Sequence, residues 1–320
     1  MNHCKNQFFF QLRKWLTNSS DLIEHFNIDI NVKSSILNLS VNQNSKTMGV
    51  FWNASSDTIE YNISQELGYL KENKNITKRS ILSAISQLFD PMGLVSPIVM
   101  KAKFILQLVW KEKEDWDEPV YDNLRKNWIK FLVNLQELKN IKIPRPALLR
   151  NAQSLEIHLF VDASEKGYGA CVYIKKQISS GIRCNLICFK SKVAPIKQLS
   201  LPRLELCAAL IGSKLLAKVK GAIKLDFQKT FCWTDSLVTY HWIQGSPNKW
   251  KTFIANRVSK IQTLTHINDW HHVRSKENPA DLISRGAIVS DLTRTNFWFH
   301  GPHWLKRNSD EYPLKKITIP

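Results

Sequence analysis

The 320-residue sequence lacks the patterns that mark several classes of protein. It has no run of about 18 apolar residues, which excludes a membrane-spanning helix. The apolar run near the N-terminus is far shorter than a signal-peptide core, so we expect a protein that is not secreted. The six cysteines form no C-x-x-C pair and the nine histidines form no H-E-x-x-H motif. A zinc ribbon, a thioredoxin motif and a zincin protease are therefore excluded.

Acidic residues are scarce relative to basic ones. There are 27 Asp and Glu against 45 Lys and Arg, which gives a formal net charge of +18 and a pI near 9.6. The excess is +5 in residues 1–150 and +13 in residues 151–320. Such an excess indicates a polyanionic partner and places it on the second half of the chain. A lysine-rich composition inherited from a biased genome is the alternative explanation.

The apolar periodicity predicts two regions of different architecture. Before residue 141, helical stripes occur at 80–89, 96–109 and 120–138, after a strand that ends at Trp52. A proline-bearing stretch at 141–154 is typical of an interdomain linker. The remainder predicts three strands, a helix, a strand, one or two helices, a strand and a final helix. Consecutive strands followed by alternation indicate an α/β fold, with a mixed five-stranded sheet and flanking helices.

Four acidic residues lie at the ends of predicted elements. Asp162, Asp235 and Asp281 end or follow strands, and Glu205 lies in the first turns of a helix among apolar neighbours. Buried carboxylates are costly unless they are paired or bind a cation. Four that converge would form the hard-oxygen site that Mg²⁺ prefers, and two ions could hydrolyse a phosphodiester. Each acid taken alone is equally compatible with a helix cap or a surface charge.

Eight phrases of the sequence resemble the polymerase polyprotein of BEL/Pao-type LTR retrotransposons, and the stretch 160–285 resembles a retroelement ribonuclease H domain. The phrases are collinear and span nearly the whole chain: QLRKW (11–15), SQLFDPMGLVSPI (86–98), VDAS…YGACVY (161–173), SKVAP…LSLPRLELCAAL (191–210), WTDS (233–236), WKTFIANRVSKIQ (250–262), HHVRSKENPADLISRG (271–286) and FWFHGPHWL (297–305).

This resemblance implies a ribonuclease H-like fold preceded by a mainly helical fragment of a reverse transcriptase. The implied domains are the end of the palm with a primer-grip-like hairpin (1–77), thumb or connection helices and linker (78–150), the ribonuclease H-like domain (151–290) and a C-terminal tail (291–320).

The resemblance also implies an activity and a cofactor. The implied reaction is endonucleolytic cleavage of the RNA strand of an RNA–DNA hybrid during reverse transcription. The catalytic and metal-ligating residues would be Asp162, Glu205, Asp235 and Asp281, holding two Mg²⁺ ions for which Mn²⁺ can substitute.

Three departures from the family pattern limit this interpretation. No Y-x-D-D motif is present, so we do not expect DNA synthesis by this chain alone. The loop Arg274–Glu277 has no histidine where many ribonucleases H carry one, and we interpret His272 as structural. No H-H-C-C integrase module follows, so we expect a polyprotein fragment.

The family is also catalogued under a peptidase name, but no D-T/S-G motif of an aspartic peptidase is present.

Hybrid binding calls for cations and small polar groups, because a hybrid is recognised through its backbone and 2′-hydroxyls. The predicted nucleic-acid contacts are Ser164, Tyr168, Lys249, Trp250, Lys251, Asn256, Arg257, Lys260 and Lys276. An ordinary amphipathic helix with solvated lysines is the alternative interpretation of residues 250–264.

Two other functions remain open at this stage. A degenerate element would leave a catalytically inactive nucleic-acid-binding relic. An integrase-type recombinase would need a D…D…E order, but Asp269 stands 34 residues after Asp235 where a glutamate is required. We expect an intracellular protein, either cytoplasmic in a virus-like particle or nuclear. The absent palm and integrase parts of the polyprotein are its expected protein partners.

Overall fold

The computed structural model describes residues 51–53, 56–61, 75–88, 90, 93–111, 115–144, 153–179, 181–294 and 296–314. The predicted end of a polymerase palm before residue 51 lies outside these residues. The chain divides into two compact units, 1–62 with 139–145 and 63–138 with 146–320. None of the described helices combines the length and apolar character of a bilayer-spanning segment.

The first unit contains a three-stranded antiparallel sheet, with strands β1 (Phe51–Asn53), β2 (Thr58–Glu60) and β3 (Lys142–Pro144) in that order. In the turn between β1 and β2, Asp57 adopts a positive φ of 48° and accepts a 2.9 Å hydrogen bond from Trp52 Nε1. β3 pairs along β2, so the first part of the predicted linker is a strand.

Three helices open the described part of the second unit: α1 (Lys78–Ser86), α2 (Ser96–Lys111) and α3 (Asp122–Leu135). α1 begins at a capping box between Thr77 and Ser80. Asp90 accepts hydrogen bonds from the backbone nitrogens of Leu94 (2.8 Å) and Val95 (3.0 Å) just before α2. The predicted helices are thus present, although α1 begins two residues earlier and ends at Ser86.

A five-stranded sheet forms the centre of this unit. Its strands are β4 (Ser154–Ala163), β5 (Gly167–Ile178), β6 (Gly181–Val193), β7 (Lys229–Thr234) and β8 (Trp270–His272). The order is β6-β5-β4-β7-β8; β5 is antiparallel to both neighbours, and β7 is parallel to β4 and β8. This is the mixed sheet that the sequence predicts.

Six helices accompany the sheet. They are α4 (Leu201–Ile223), α5 (Leu237–Gln244), α6 (Thr252–Leu264), α7 (Asp281–Arg285), α8 (Val289–Thr293) and α9 (Phe297–His300). α4 connects the edge strand β6 to β7, which lies parallel to β4. The apolar periodicity of this helix predicts a buried stripe of Leu204, Ala208, Ile211 and Leu215, which is partly wrong. Leu204 and Ala208 are buried, but Gly212 and Leu216 follow them in the core, while Ile211 and Leu215 are half-buried.

Both faces of the sheet are covered. Leu159 and Val161 of β4 belong to the core that includes α4. On the opposite face Phe160 and Trp233 meet Trp304, with the Trp233 and Trp304 ring centroids 4.8 Å apart. The predicted C-terminal tail is therefore a structural part of the domain as far as Leu314, where the described residues end.

A buried polar cluster lies on this second face. Glu156 contacts Lys175 at 3.3 Å and accepts a 2.6 Å hydrogen bond from the Tyr312 hydroxyl. His158, fully buried, lies 3.3 Å from Glu156 and accepts a 3.2 Å hydrogen bond from Trp233 Nε1. Burial raises the pKa of Glu156, but the hydrogen bonds from His158 and Tyr312 outweigh it and lower that pKa to about 2. Burial lowers the pKa of His158.

Hydrogen bonds connect α2 to the sheet and the C-terminal segment. Gln107 donates to the Ala194 carbonyl (2.7 Å), and Trp298 Nε1 donates to the Leu94 carbonyl (2.7 Å). The Ala287 nitrogen donates to the Pro97 carbonyl at 3.0 Å. The helix α2 and the five-stranded sheet therefore belong to one packed body.

Candidate active site

Asp162 and Asp235 come from neighbouring parallel strands. Asp162 lies at the end of β4 and is 6 % exposed, and Asp235 directly follows β7 and is half-buried. Because parallel strands end at the same edge of a sheet, the two carboxylates face one region. The predicted convergence of these two acids is present in the structure.

Glu205 reaches the same edge from the second turn of α4. Its carboxylate accepts a hydrogen bond from the Ser236 hydroxyl, and Ser236 is the residue after Asp235. The same hydroxyl accepts a 3.1 Å bond from the Thr239 nitrogen and so caps α5, as the sequence predicts. One serine thus fixes Glu205 relative to both β7 and α5.

Asp281 enters at the beginning of α7. Its carboxylate accepts a 2.5 Å hydrogen bond from Arg285 Nε, and both side chains are partly exposed. Ser284, between them on the same helix, is buried and donates to the Asp162 carboxylate. The short helix therefore brings one carboxylate, one cation and one hydroxyl to the strand end.

Asn278 links the loop before α7 to the two strand ends. Its amide nitrogen donates to the Val161 carbonyl at 2.9 Å and to the Asp235 carboxylate at 3.2 Å. The side chain is fully buried. Asn278 thus bridges β4 and the carboxylate that follows β7, which holds Asp235 in the cluster.

The electrostatics of the cluster reflect crowded negative charge. Burial, followed by the charge of Asp235, raises the pKa of Asp162 to about 8, and the Ser284 hydrogen bond offsets only part of this. Burial also raises the pKa of Glu205, to which the charge of Asp235 adds. The hydrogen bond from Arg285 to Asp281 raises the pKa of that guanidinium, with further contributions from Asp162 and Asp235. The charges of Asp235 and Asp281 therefore act on Asp162, and the charge of Asp235 acts on Glu205.

Within the described residues, no three Asp, Glu, His or Cys side chains are arranged as a group that could hold a metal ion. Asp162 and Glu205 instead accept hydrogen bonds from serine hydroxyls, and Asp281 pairs with Arg285. These residues nevertheless suit Mg²⁺ as ligands, since all four side chains offer carboxylate oxygens. Burial and then the charge of Asp235 raise the pKa of Asp162, and a bound cation would favour its ionised form.

His272 lies beside the cluster but does not project into it. Its Nε2 lies 3.2 Å from the backbone oxygen of Asp235, a contact that fits the structural role predicted for it. The neighbouring loop Ser275–Glu277 is a 3₁₀ turn that exposes Lys276.

Two of the predicted nucleic-acid contacts follow Asp162 directly along the chain, Ser164 two residues and Tyr168 six residues after it. The Ser164 hydroxyl donates to the Ser284 carbonyl at 2.5 Å. Tyr168 is half-buried, and burial raises its pKa while the charge of Arg257, another predicted contact, opposes this.

The other predicted contacts are more dispersed. Because α6 begins at Thr252, Lys249, Trp250 and Lys251 precede the helix on which we expected them. Lys249, Lys251, Asn256 and Lys260 are exposed. Trp250 is half-buried against His241 and Trp242, with ring centroids 5.5 and 6.5 Å away, so much of its ring packs inside the domain.

Sequence reasoning missed Arg203 and the polar residues around the acids. The guanidinium carbons of Arg203 and Arg257 lie 5.2 and 3.5 Å from the ring centroid of Phe253. Asn278, Ser284 and Ser236 hold the carboxylates, as described above. A signal for them was present, because all three lie inside the motif phrases that contain the acids.

The mixed sheet and the acids at its edge define a ribonuclease H-like domain. Residues 77–236 match the family described as the Pao retrotransposon-like RNaseH-like domain. Since the match covers half of the chain, this protein belongs to that family. The match includes α1–α3 together with the sheet as far as Ser236. No curated protein matches the sequence.

Several solved structures resemble the chain weakly. RNase H1 from Halobacterium salinarum NRC-1 is 12 % identical, with a TM-score of 0.27, over 44 % of this chain and 99 % of its own. LC11-RNase H1 in complex with an RNA/DNA hybrid is 16 % identical, with a TM-score of 0.30, over 43 % and 99 %. The RNase H domain of rv2228c from Mycobacterium tuberculosis is 12 % identical, with a TM-score of 0.27, over 41 % and 94 %. These values are too low to support functional inference.

Proposed function

We propose that this protein is a ribonuclease H that cuts the RNA strand of RNA–DNA hybrids during retrotransposon reverse transcription, in a Mg²⁺-dependent reaction. The observation that carries the proposal is the convergence of Asp162, Glu205, Asp235 and Asp281 at one edge of the sheet. Membership of an RNaseH-like family supports the reaction class. The RNA–DNA hybrid is the substrate that the sequence resemblance implies, and it is the substrate to test here.

The four carboxylates would hold two Mg²⁺ ions, with Mn²⁺ able to substitute. Such ions supply an activated water and stabilise the leaving oxygen of the phosphodiester. Buried Asp162, on a strand, offers the most rigid carboxylate, and Asn278 and Ser236 orient Asp235 and Glu205 toward the same region. The exposed guanidinium of Arg285 lies where it can contact a substrate phosphate.

The proposed domain organisation follows the resemblance. Residues 151–290 would be the nuclease domain, and α1–α3 would be the thumb or connection region of a reverse transcriptase. The packing of α2 against the sheet suggests that these helices act together with the nuclease.

A decisive test measures cleavage of a fluorophore-labelled RNA–DNA hybrid. Wild-type protein should cleave the hybrid in the presence of Mg²⁺, and cleavage should stop when EDTA is added. Asp162→Asn should abolish cleavage, while the matched control Asp226→Asn, which changes an exposed aspartate, should leave the rate unchanged. Asparagine resembles the protonated form that the high pKa of Asp162 favours, so this variant should fold normally. Absence of cleavage, or equal cleavage by Asp162→Asn, would contradict the proposal.

An inactive nucleic-acid-binding relic is the second candidate. It is favoured by the loop Ser275–Glu277, which has no histidine, and by the engagement of His272 with the Asp235 backbone. Hybrid binding without turnover under every metal condition would support it, and robust turnover would exclude it.

A further inference from the structure

A groove of about 990 Å³ lies between α2, α3 and the segment that leads into α4. All of its lining residues belong to the second compact unit. Four lysines line it: Lys101, Lys111, Lys130 and Lys166. Among the described residues that line the groove, Glu165 is the only acidic one. The groove therefore carries an excess of positive charge.

The groove leads to the carboxylate cluster. A smaller cavity of about 300 Å³ is lined by Ser164, Glu165, Lys166 and Arg285, and it shares Glu165 and Lys166 with the groove. Arg285 pairs with Asp281 of the cluster. A chain lying in the groove could thus continue to the proposed site of cleavage.

Hydrogen bonds and buried side chains form the walls before any ligand binds. Gln107 of α2 donates to the Ala194 carbonyl at 2.7 Å. The Ala194 nitrogen donates to the Lys166 carbonyl at 2.9 Å. Phe104 and Phe131 line the groove but are themselves 7 % and 5 % exposed, so they form a packed floor.

The exposed lining combines cations with apolar side chains. None of the four lysines lies within ion-pair distance of a carboxylate among the described residues. Beside them Leu108 and Ile196 are 47 % and 74 % exposed. Single-stranded nucleic acid fits this mixture, because its phosphates can meet the cations while its unpaired base faces cover apolar surface. A duplex would offer phosphates but no free base faces.

We propose that this groove binds a single-stranded nucleic-acid segment that extends from the hybrid at the carboxylate cluster. The identity of the adjoining hybrid rests on the proposed function, whereas binding in the groove does not. An acidic amphipathic peptide would meet similar chemistry, but the continuity with the carboxylate cluster favours nucleic acid.

The test is fluorescence anisotropy with the full chain carrying Asp162→Asn, so that no probe is cut. The probes are a blunt hybrid, the same hybrid with a 5′ or a 3′ single-stranded extension, and the extension strand alone. Lys111→Ala with Lys130→Ala removes two groove cations. Lys214→Ala with Lys218→Ala removes the same charge from exposed positions on α4.

An extension of one polarity should tighten binding of the hybrid, and the groove variant should lose this gain and bind the strand alone about tenfold more weakly. For the strand alone, the slope of the logarithm of the binding constant against the logarithm of the salt concentration should become shallower by about 1.4. This is about 0.7 for each lost phosphate contact. The α4 control should behave like the parent protein. Lys111→Arg with Lys130→Arg should keep the affinity, which separates loss of charge from misfolding.

Two results would overturn the proposal. One is that neither extension tightens binding and the strand alone binds both alanine variants equally. The other is that the α4 control weakens strand binding as much as the groove variant. If the strand binds through the groove lysines but the blunt hybrid does not bind, the groove assignment holds and the proposed function fails.

Discussion

Gly212 sets the distance between α4 and the sheet. A β-carbon at this position would lie 2.6 Å from Val161 Cγ1 and 3.0 Å from Ala170 Cβ, well inside van der Waals contact. Neither atom is the end of a flexible side chain, so α4 itself would have to move. Because α4 also carries Glu205 two turns earlier, this displacement would reach the carboxylate cluster.

The variant Gly212→Ala should therefore be compared with Gly221→Ala. Gly221 lies on the same helix, and a β-carbon there meets no atom within 4 Å. Alanine stabilises a helix interior by up to about 1 kcal/mol relative to glycine, and both variants gain part of this stabilisation. Overpacking costs about 1–3 kcal/mol and applies to position 212 alone. We expect Gly212→Ala to be less stable than Gly221→Ala by about 1–3 kcal/mol.

Urea denaturation followed by circular dichroism measures this difference, and hybrid cleavage reports the position of Glu205. Gly221→Ala should equal or exceed the wild type in stability and cleave at the same rate, whereas Gly212→Ala should cleave more slowly. Equal stability of the two variants would refute the close approach of α4 to the sheet.

Four further predictions concern the buried polar contacts. In the Asp162→Asn variant, which lacks the opposing titration of Asp162, stability should decrease as pH falls below about 6.5. The pKa of His158 is lower in the folded than in the unfolded state, so the unfolded state takes up the proton first. Stability should decrease further, by up to about 3 kcal/mol, between pH 4.5 and 2, because folding lowers the pKa of Glu156 to about 2. Tyr312→Phe removes a hydrogen bond to Glu156 and should cost about 1–3 kcal/mol in unfolding free energy. Asn278→Ala should cost a similar amount, because it removes the hydrogen bonds to the Val161 carbonyl and the Asp235 carboxylate, and should lower cleavage about 10- to 100-fold.

Denaturation at a series of pH values tests the first two of these effects. A flat stability profile of the Asp162→Asn variant between pH 7 and 3 would contradict the account of the buried cluster, and so would a Tyr312→Phe variant with wild-type stability. For Asn278→Ala, kinetics must be measured at a temperature where the variant remains folded. Undiminished cleavage there would show that the amide does not position Asp235.

The order of strands and helices along the chain and the convergence of the acids were predictable, because each has a local signature in the sequence. Val161 and its neighbours form an apolar run that ends in Asp162, and the Trp233–Ser236 phrase repeats this pattern. Parallel strands then bring the two ends to one edge without further information. The predicted stripe of α4 failed at Ile211 because periodicity favours large apolar residues, whereas close packing on the sheet uses Gly212.

The second face of the sheet was not predictable from local patterns. Glu156 and Lys175 look like surface charges in sequence, and their burial depends on Tyr312, which lies 156 residues after Glu156. The family resemblance implies a C-terminal tail at 291–320, whereas Trp298 and Trp304 of this segment are buried. Only the complete fold shows that these aromatic side chains cover the sheet.

The most direct test of the central claim is a comparison of the two strands of one hybrid. Each strand is labelled in turn, and wild-type protein and Asp162→Asn are incubated with it in Mg²⁺. We predict that the wild type shortens only the RNA strand and that Asp162→Asn shortens neither. Cleavage of the DNA strand, or an RNA strand that stays intact while hybrid binding is strong, would contradict the assignment of this domain as an active ribonuclease H.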